Sequence, residues 1–295
     1  MNDKKLAVLG GDKRQAALAA FLADKGFSVY TYNLPAELLQ GGVTVADSPD
    51  LAMDAASAVI LPLPVSGDGV YLNCPFSPDN AIEINEILSK AGAREVLGGR
   101  FSPRIREKAD KLGVKLTDYF DIEELKIRNS VLTSEGALCI AMNALEVSLV
   151  GSKSAVIGYG RLGKALAPML KNIGSDVTVA ARRNSDIAWA AAYGFDTLKI
   201  KLDSDGVSTL KRLGRGYDVI FNTVPSWVLD SRVLKEFSRD TLIIDLASAP
   251  GGVEPAAAKD MGIKVITALS IPGKYAPVSA GQLIGEYIIE VLDKL

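Results

Sequence analysis

The chain has 295 residues, with 33 Lys and Arg against 35 Asp and Glu, for a formal net charge of −2. Its length and its 48% hydrophobic share allow two moderate cores. Near-neutral charge without a long basic or acidic run argues against nucleic acid or an anionic membrane surface as partner, and for a small molecule.

In chain order, an apolar run at 5–9 is followed by Gly10-Gly11-Asp12 and a helical pattern over 14–25 that closes on Gly26. This reads as strand, tight turn and helix. Further strands are expected at 27–32, 58–63, 94–98 and 114–120, with helices over 80–91 and 103–112. Residues 133–150 read as one long buried helix that bridges two halves. The second half then repeats the rhythm, with strands at 154–158, 176–181, 195–200, 217–223, 241–247 and 263–269 and a last helix over 277–293.

Such alternation predicts an α/β protein of two Rossmann-like parallel-sheet domains with an interdomain cleft, the second a six-stranded dinucleotide-binding domain. The division is placed at 1–132 and 133–295, the second part including the bridging helix 133–150 and a C-terminal helix that returns to the first.

Two cysteines, Cys74 and Cys139, stand apart from other ligand types, which predicts reduced thiols and no metal site. The N-terminal apolar run is too short for a signal peptide. The greasy stretch 137–150 is broken by Asn143 and Glu146 and is too short to span a bilayer. A cytoplasmic chain is therefore expected. There are no histidines. That removes the usual near-neutral acid–base group, so proton transfer must fall to Lys, Tyr, Asp, Glu, Ser, Thr or water.

The most informative stretch is GYGRLG, residues 158–163. Its glycines follow an apolar strand and open a helix, the context in which the pattern marks a dinucleotide site rather than an ordinary turn. Gly158 permits the turn, Gly160 lets the backbone approach a pyrophosphate, and Gly163 lets helix and strand pack closely. Tyr159, Arg161 and Leu162 complete the loop, and Pro168 predicts a bend in the helix near 165–168.

The next strand ends in Ala181-Arg182-Arg183-Asn184-Ser185, where a carboxylate would accept from the ribose 2′-OH of NAD. Cationic forks suit the 2′-phosphate of NADP instead. Asn222, Thr223, Pro225 and Asp245 end later strands at the carboxyl edge of the sheet, where ligands of open α/β sheets bind.

Taken together, GGDKRQ (10–15), LPLPVSGDG (61–69), TSEGAL (133–138), GYGRLG with ARR, FNTVPS (221–226), the IIDLASAPGG stretch with Leu242 before it, and IPGKYAPVSAGQLI (271–284) resemble the family of the dipicolinate synthase A chain along essentially the whole sequence. Leu132 departs from the resemblance, standing where a proline is expected before the helix start. The resemblance implies an NADP-linked oxidation during sporulation, in the mother-cell cytoplasm. A dihydrodipicolinate-type compound, derived from the lysine-pathway intermediate 4-hydroxy-tetrahydrodipicolinate, is converted to the aromatic dicarboxylate. It also implies a second, flavoprotein-like subunit, the B chain of dipicolinate synthase, in an oligomeric assembly.

A dicarboxylate needs cations or N–H donors, and Arg14, Ser66 and Arg100 lie near expected strand ends of the first half. Thr133 and Ser134 are further candidates for substrate, with helix capping as their competing role. Glu135 and Lys274 are the candidate proton-transfer groups. Two other readings stay open: an NADP reductase like shikimate dehydrogenase, using a lysine and an aspartate, and a non-catalytic NADP-binding scaffold subunit. The 2-hydroxyacid and alanine dehydrogenases share the two-domain plan but rely on a histidine.

Overall fold

The computed structural model describes residues 4–202, 204 and 206–294. They form two compact units, the first made of the described residues up to 129 together with 272–294, the second of the described residues between 130 and 271. Among the described residues no helix is long and apolar enough to cross a membrane.

The first unit runs β1 (Lys5–Leu9), α1 (Lys13–Asp24), β2 (Ser28–Tyr32), β3 (Val43–Val45), α2 (Pro49–Met53), β4 (Ala58–Ile60), α3 (Ile84–Ala91), β5 (Glu95–Gly98), α4 (Pro103–Leu112) and β6 (Leu116–Asp118), and then enters α5 (Glu123–Ala144). Its sheet is ordered β3-β2-β1-β4-β5-β6 with every neighbouring pair parallel. β3 and α2 are absent from the sequence reading. β3 is a three-residue, largely exposed edge strand, too short for a periodic signal.

The second unit runs β7 (Lys153–Ile157), α6 (Arg161–Ile173), β8 (Asp176–Ala181), α7 (Asn184–Ala192), β9 (Asp196–Lys199), β10 (Val219–Asn222), α8 (Ser231–Leu234), β11 (Leu242–Asp245), α9 (Pro255–Met261) and β12 (Val265–Thr267). The chain then passes through α10 (Ile271–Tyr275) to α11 (Pro277–Leu292). The sheet order, β12-β11-β10-β7-β8-β9, is the same doubly wound order as in the first unit, again all parallel. Both faces are covered: Val156, Val179, Phe221 and Ile244 point into one apolar cluster and Ala155, Ala180, Ile220 and Ile243 into the other. This is why the strands read as continuous apolar runs rather than alternating ones.

α11 packs on α1 inside the first unit. Two glycines a turn apart make the contact possible: a Cβ on Gly281 would sit 2.6 Å from Arg14 O, and one on Gly285 would strike the Phe21 ring. Helix axes approach this closely only where one surface lacks side chains.

The bridging helix is displaced from its expected place. It spans Glu123–Ala144 rather than 133–150. Glu123 and Glu124 occupy its first turn, where carboxylates complement the helix dipole, and the good helix formers that follow override the capping signal at Thr133-Ser134. It is not buried throughout, since Ile127, Val131 and Met142 are exposed. At its end, Lys264 Nζ donates to the terminal carbonyl of Ala144 at 2.8 Å. α6 continues as one helix through Pro168.

Candidate functional site

The turn from β7 into α6 assigns each glycine of GYGRLG a separate task. Gly158 has φ +96°, and a Cβ there would overlap the Thr223 hydroxyl, which donates to Ile157 O at 2.9 Å. Gly163 presses on the backbone, for its Cβ would overlap the carbonyl oxygen of Gly158. Gly160 differs: it is exposed, and a Cβ on it would meet no described atom within 4 Å. It is the N-cap of α6, and no side chain caps that helix. The space over Gly160 and the N–H groups of the first turn form a place that a pyrophosphate fits. Around it, Tyr159 is buried with its ring edge-on to Phe195, Leu162 packs on the core, and Arg161 is exposed. Burial raises the Tyr159 phenol above its ordinary range, with the neighbouring Tyr193 and Asp186 acting the same way. Its side chain is core, which leaves only its backbone for a ligand.

The equivalent turn of the first unit is closed. There Gly10 is packed against Cys74, with its Cβ position 2.6 Å from Sγ, and Gly11 against Gln15 at 2.5 Å. α1 is capped by the Asp12 carboxylate, which accepts from Arg14 N at 2.9 Å. A helix N-terminus that carries its own carboxylate has little affinity left for another anion.

At the end of β8, Arg182, Arg183, Asn184 and Ser185 are exposed. The two arginines are not equivalent. Arg183 is forked onto the buried Asp186, Nε to Oδ2 at 2.8 Å and Nη2 to Oδ1 at 3.2 Å, and this pairing raises its pKa. The two arginines expected here thus differ in setting: an acid three residues on in the first turn of α7 pairs with Arg183, whereas Arg182 makes no ion pair among the described residues. The sequence reading missed Lys199, whose ammonium donates to Arg182 O and Asn184 Oδ1, both at 2.5 Å. The signal for it lay in the register of β8 and β9, which sets Lys199 beside Ala181.

Asn222 and Asp245, expected at the ligand edge, are buried and joined to each other. Asn222 Nδ2 donates to Asp245 Oδ1 at 2.8 Å and to Val224 O at 3.0 Å. Asp245 also accepts from Ala247 N at 3.2 Å and Gly252 N at 2.8 Å. Both side chains thus hold the loops after β10 and β11, as buried polar groups must when water is excluded. Thr223 is half-buried and Pro225 exposed beside them. Beyond the Asp245 loop lies a cavity of about 490 Å³ between β11, β12 and α9, lined by Ala249, Pro250, Val253 and Thr267 among others.

In the first unit, Arg14 is buried, paired with Asp12 at 2.8 Å and donating to Leu63 O at 2.6 Å. Its charge is neutralised by the acid two residues before it, so it is not the open carboxylate receptor expected. Near it, burial pushes the Tyr119 phenol far up, against the opposing pull of Arg14. Its hydroxyl donates to Leu61 O at 3.0 Å. Ser66 is used locally, accepting from Gly69 N at 2.8 Å and donating to Tyr71 O at 2.6 Å.

Arg100 stands differently. It is exposed at the carboxyl end of β5, makes no ion pair among the described residues, and holds a left-handed backbone at φ +63°. The buried Asp118 carboxylate locks that conformation by accepting from Arg100 N at 2.9 Å and Phe101 N at 3.0 Å.

Thr133, Ser134 and Glu135 lie in the middle of α5 rather than at a helix start. Ser134 is fully buried and donates to Ser130 O at 2.8 Å, one turn back along the helix. Thr133 is half-buried and Glu135 exposed. Pro272-Gly273-Lys274 is helical within α10 and belongs to the first unit. Gly273 lies against Asp12 and Arg14, while Lys274 is exposed.

Two models of known families match separate parts of the chain. A model of the N-terminal domain of the dipicolinate synthase A chain matches residues 5–120, and one of the NADPH-binding domain of acetohydroxy acid isomeroreductase matches residues 148–211. The dipicolinate synthase A chain of Bacillus subtilis (strain 168) is 30% identical over 296 residues, covering 99% of this chain and 96% of its own. The crystal structure of the dipicolinate synthase A chain from Bacillus halodurans aligns with a TM-score of 0.84 at 26% identity, over 98% of this chain and 97% of that one. The crystal structure of its Bacillus subtilis counterpart aligns with a TM-score of 0.83 at 28% identity, over 100% and 97%. Agreement of sequence and fold along nearly the full length places the protein in the family of the dipicolinate synthase A chain.

Proposed function

We propose that the chain binds NADP(H) in its second unit and takes part, with a flavoprotein-like second subunit, in oxidising a dihydrodipicolinate-type compound to dipicolinate. The observation that carries this reading is the contrast between the two βα turns: the first is filled by side chains and capped by Asp12, the second is open over Gly160 and uncapped. Family membership supports a pyridine dicarboxylate precursor as the substrate class.

The dinucleotide, held by the first turn of α6, would supply a hydride acceptor for the ring, and the accompanying ring proton would pass to a side chain of the protein or to water. The residues of the chain bind and orient. The N–H groups of the first turn of α6 would hold the pyrophosphate, and the exposed Arg182 at the end of β8 would hold the 2′-phosphate. Arg100 is the better candidate for a substrate carboxylate than Arg14, being unpaired among the described residues and fixed in backbone. Aromatisation provides much of the driving force, so positioning outweighs acid–base power. This agrees with a chain that has no histidine. Glu135 and Lys274 are the proposed proton-transfer groups.

NADP(H) is expected to bind at least about tenfold more tightly than NAD(H), the effect of one charge-assisted contact. Titration calorimetry with both cofactors checks it, and equal affinities overturn it. For the reaction, the purified chain is incubated with freshly generated 4-hydroxy-tetrahydrodipicolinate and NADP, with and without the companion protein, and the ultraviolet absorbance of dipicolinate is followed. Glu135→Gln is expected to lower its formation about a hundredfold with cofactor affinity retained, the scale of a lost acid–base group. Lys274→Met is also expected to slow turnover; a loss confined to KM would make it a carboxylate binder instead.

The exposure of both groups favours a second reading, in which the chain is a dinucleotide-binding scaffold for a catalytic partner. That reading gains if the isolated chain binds NADP(H) but transfers no hydride under conditions where the complex does. Near-native rates in both variants would assign proton transfer to water.

A further inference from the structure

We infer that Lys199, at the end of β9, is the second cation of the cofactor's 2′-phosphate seat and a determinant of the choice between NADP and NAD. The inference rests on the NADP reading above and deepens it.

A Rossmann unit presents the ribose of its dinucleotide to the end of the second strand, here β8. Three cationic side chains surround that end. Arg183 is held in a fork by Asp186, so the pair contributes no net charge. Arg182 is exposed and makes no ion pair among the described residues. Lys199 reaches it from the neighbouring strand: its Cα is in register with Ala181, and its half-buried stem carries the ammonium across to Arg182 O and Asn184 Oδ1. The backbone from which it rises is held in place, because the hydroxyl of the buried Thr209 donates to the main-chain carbonyl of Lys199 at 2.7 Å.

An ammonium has three donors. Two hold the β8–α7 loop, which leaves the third for a phosphate oxygen, and both loop acceptors are neutral, so the positive charge is undiminished. The local balance is then two net positive charges, on Arg182 and Lys199, with the Asp186 carboxylate engaged on both oxygens by Arg183. A phosphate monoester meets two cations there. A ribose 2′-OH finds no open carboxylate among the described residues at this strand end.

The competing role is mechanical: Lys199 could act only as a strut for the loop. The two roles differ in what they do to a ligand without the extra phosphate. Binding of NADPH, NADH, 2′,5′-ADP and 5′-AMP is therefore measured by calorimetry for the unmodified chain and for Lys199→Met and Lys199→Arg, with thermal unfolding recorded for each. Lys199→Met is expected to weaken NADPH and 2′,5′-ADP by about tenfold or more and NADH and 5′-AMP by less than about twofold. Lys199→Arg, which keeps the charge, is expected to recover most of the loss.

Equal weakening of all four ligands, or none, overturns the assignment and leaves a strut or a bystander. Absence of any NADPH preference in the unmodified chain overturns the NADP reading as well. A preference that persists unchanged in Lys199→Met overturns only the role of Lys199. If Lys199→Met unfolds, Lys199→Gln is read by the same comparison of ligands.

Discussion

Gly160→Val is expected to leave the fold intact and to weaken NADP(H) binding about a thousandfold, roughly 4 kcal/mol. The backbone tolerates the change, since Gly160 has φ −84° and ψ −158°, extended values that a β-branched residue adopts readily. Its Cβ points into open space, so no protein atom must move. Any cost falls on the ligand, because the valine side chain stands where a pyrophosphate has to approach the first-turn amides of α6.

Gly163→Ala serves as the contrast. There the new methyl strikes the Gly158 carbonyl, which is backbone and cannot step aside, so the melting temperature is expected to fall together with affinity. Calorimetric titration with NADPH, beside thermal unfolding of both variants, separates the two effects. Near-native affinity in Gly160→Val would falsify the placement of the phosphates over this turn.

The glycine turn was legible in the sequence because the physics that makes it is local. A strand, three glycines at fixed spacing and a helix leave few conformations. What escaped the sequence was decided by partners distant along the chain. Arg182 and Arg183 are indistinguishable as neighbours in sequence, and only the fork onto Asp186 separates them. Lys199 reads as an ordinary strand lysine, and only the register of β9 on β8 brings it to the loop.

The start of α5 failed for a related reason. TSEG has the composition of a helix cap, yet ten helix-compatible residues before it carry the helix through, and Ser134 ends up bonded one turn back instead of capping. Arg14 illustrates the same limit in the first unit. Its position at a helix start suggested an anion receptor, whereas the carboxylate it binds is that of Asp12.

Asp245→Ala is expected to destabilise the second unit by about 4 kcal/mol, since three buried donors lose their acceptor and each unpaired donor costs about 1–3 kcal/mol. The donors are Asn222 Nδ2, Ala247 N and Gly252 N, at 2.8, 3.2 and 2.8 Å. Asn222 Nδ2 keeps a second acceptor in Val224 O at 3.0 Å, whereas Ala247 N and Gly252 N have no other acceptor among the described residues, in a corner where a Cβ on Gly252 would overlap the Asn222 amide. For a domain of this size the melting temperature should drop by roughly 10 °C.

Asp245→Asn tests whether the carboxylate holds loops or a ligand. The amide keeps the shape but turns one acceptor into a donor facing an N–H, so a scaffold role predicts a smaller loss of the same kind, seen in the melting temperature before it is seen in binding. A direct role toward the dinucleotide predicts the reverse, native melting with weakened NADPH. Circular dichroism melts and calorimetry well below the transition distinguish these outcomes. The buried position of Asp245, only 3% exposed, together with its three internal donors, commits the expectation to the first.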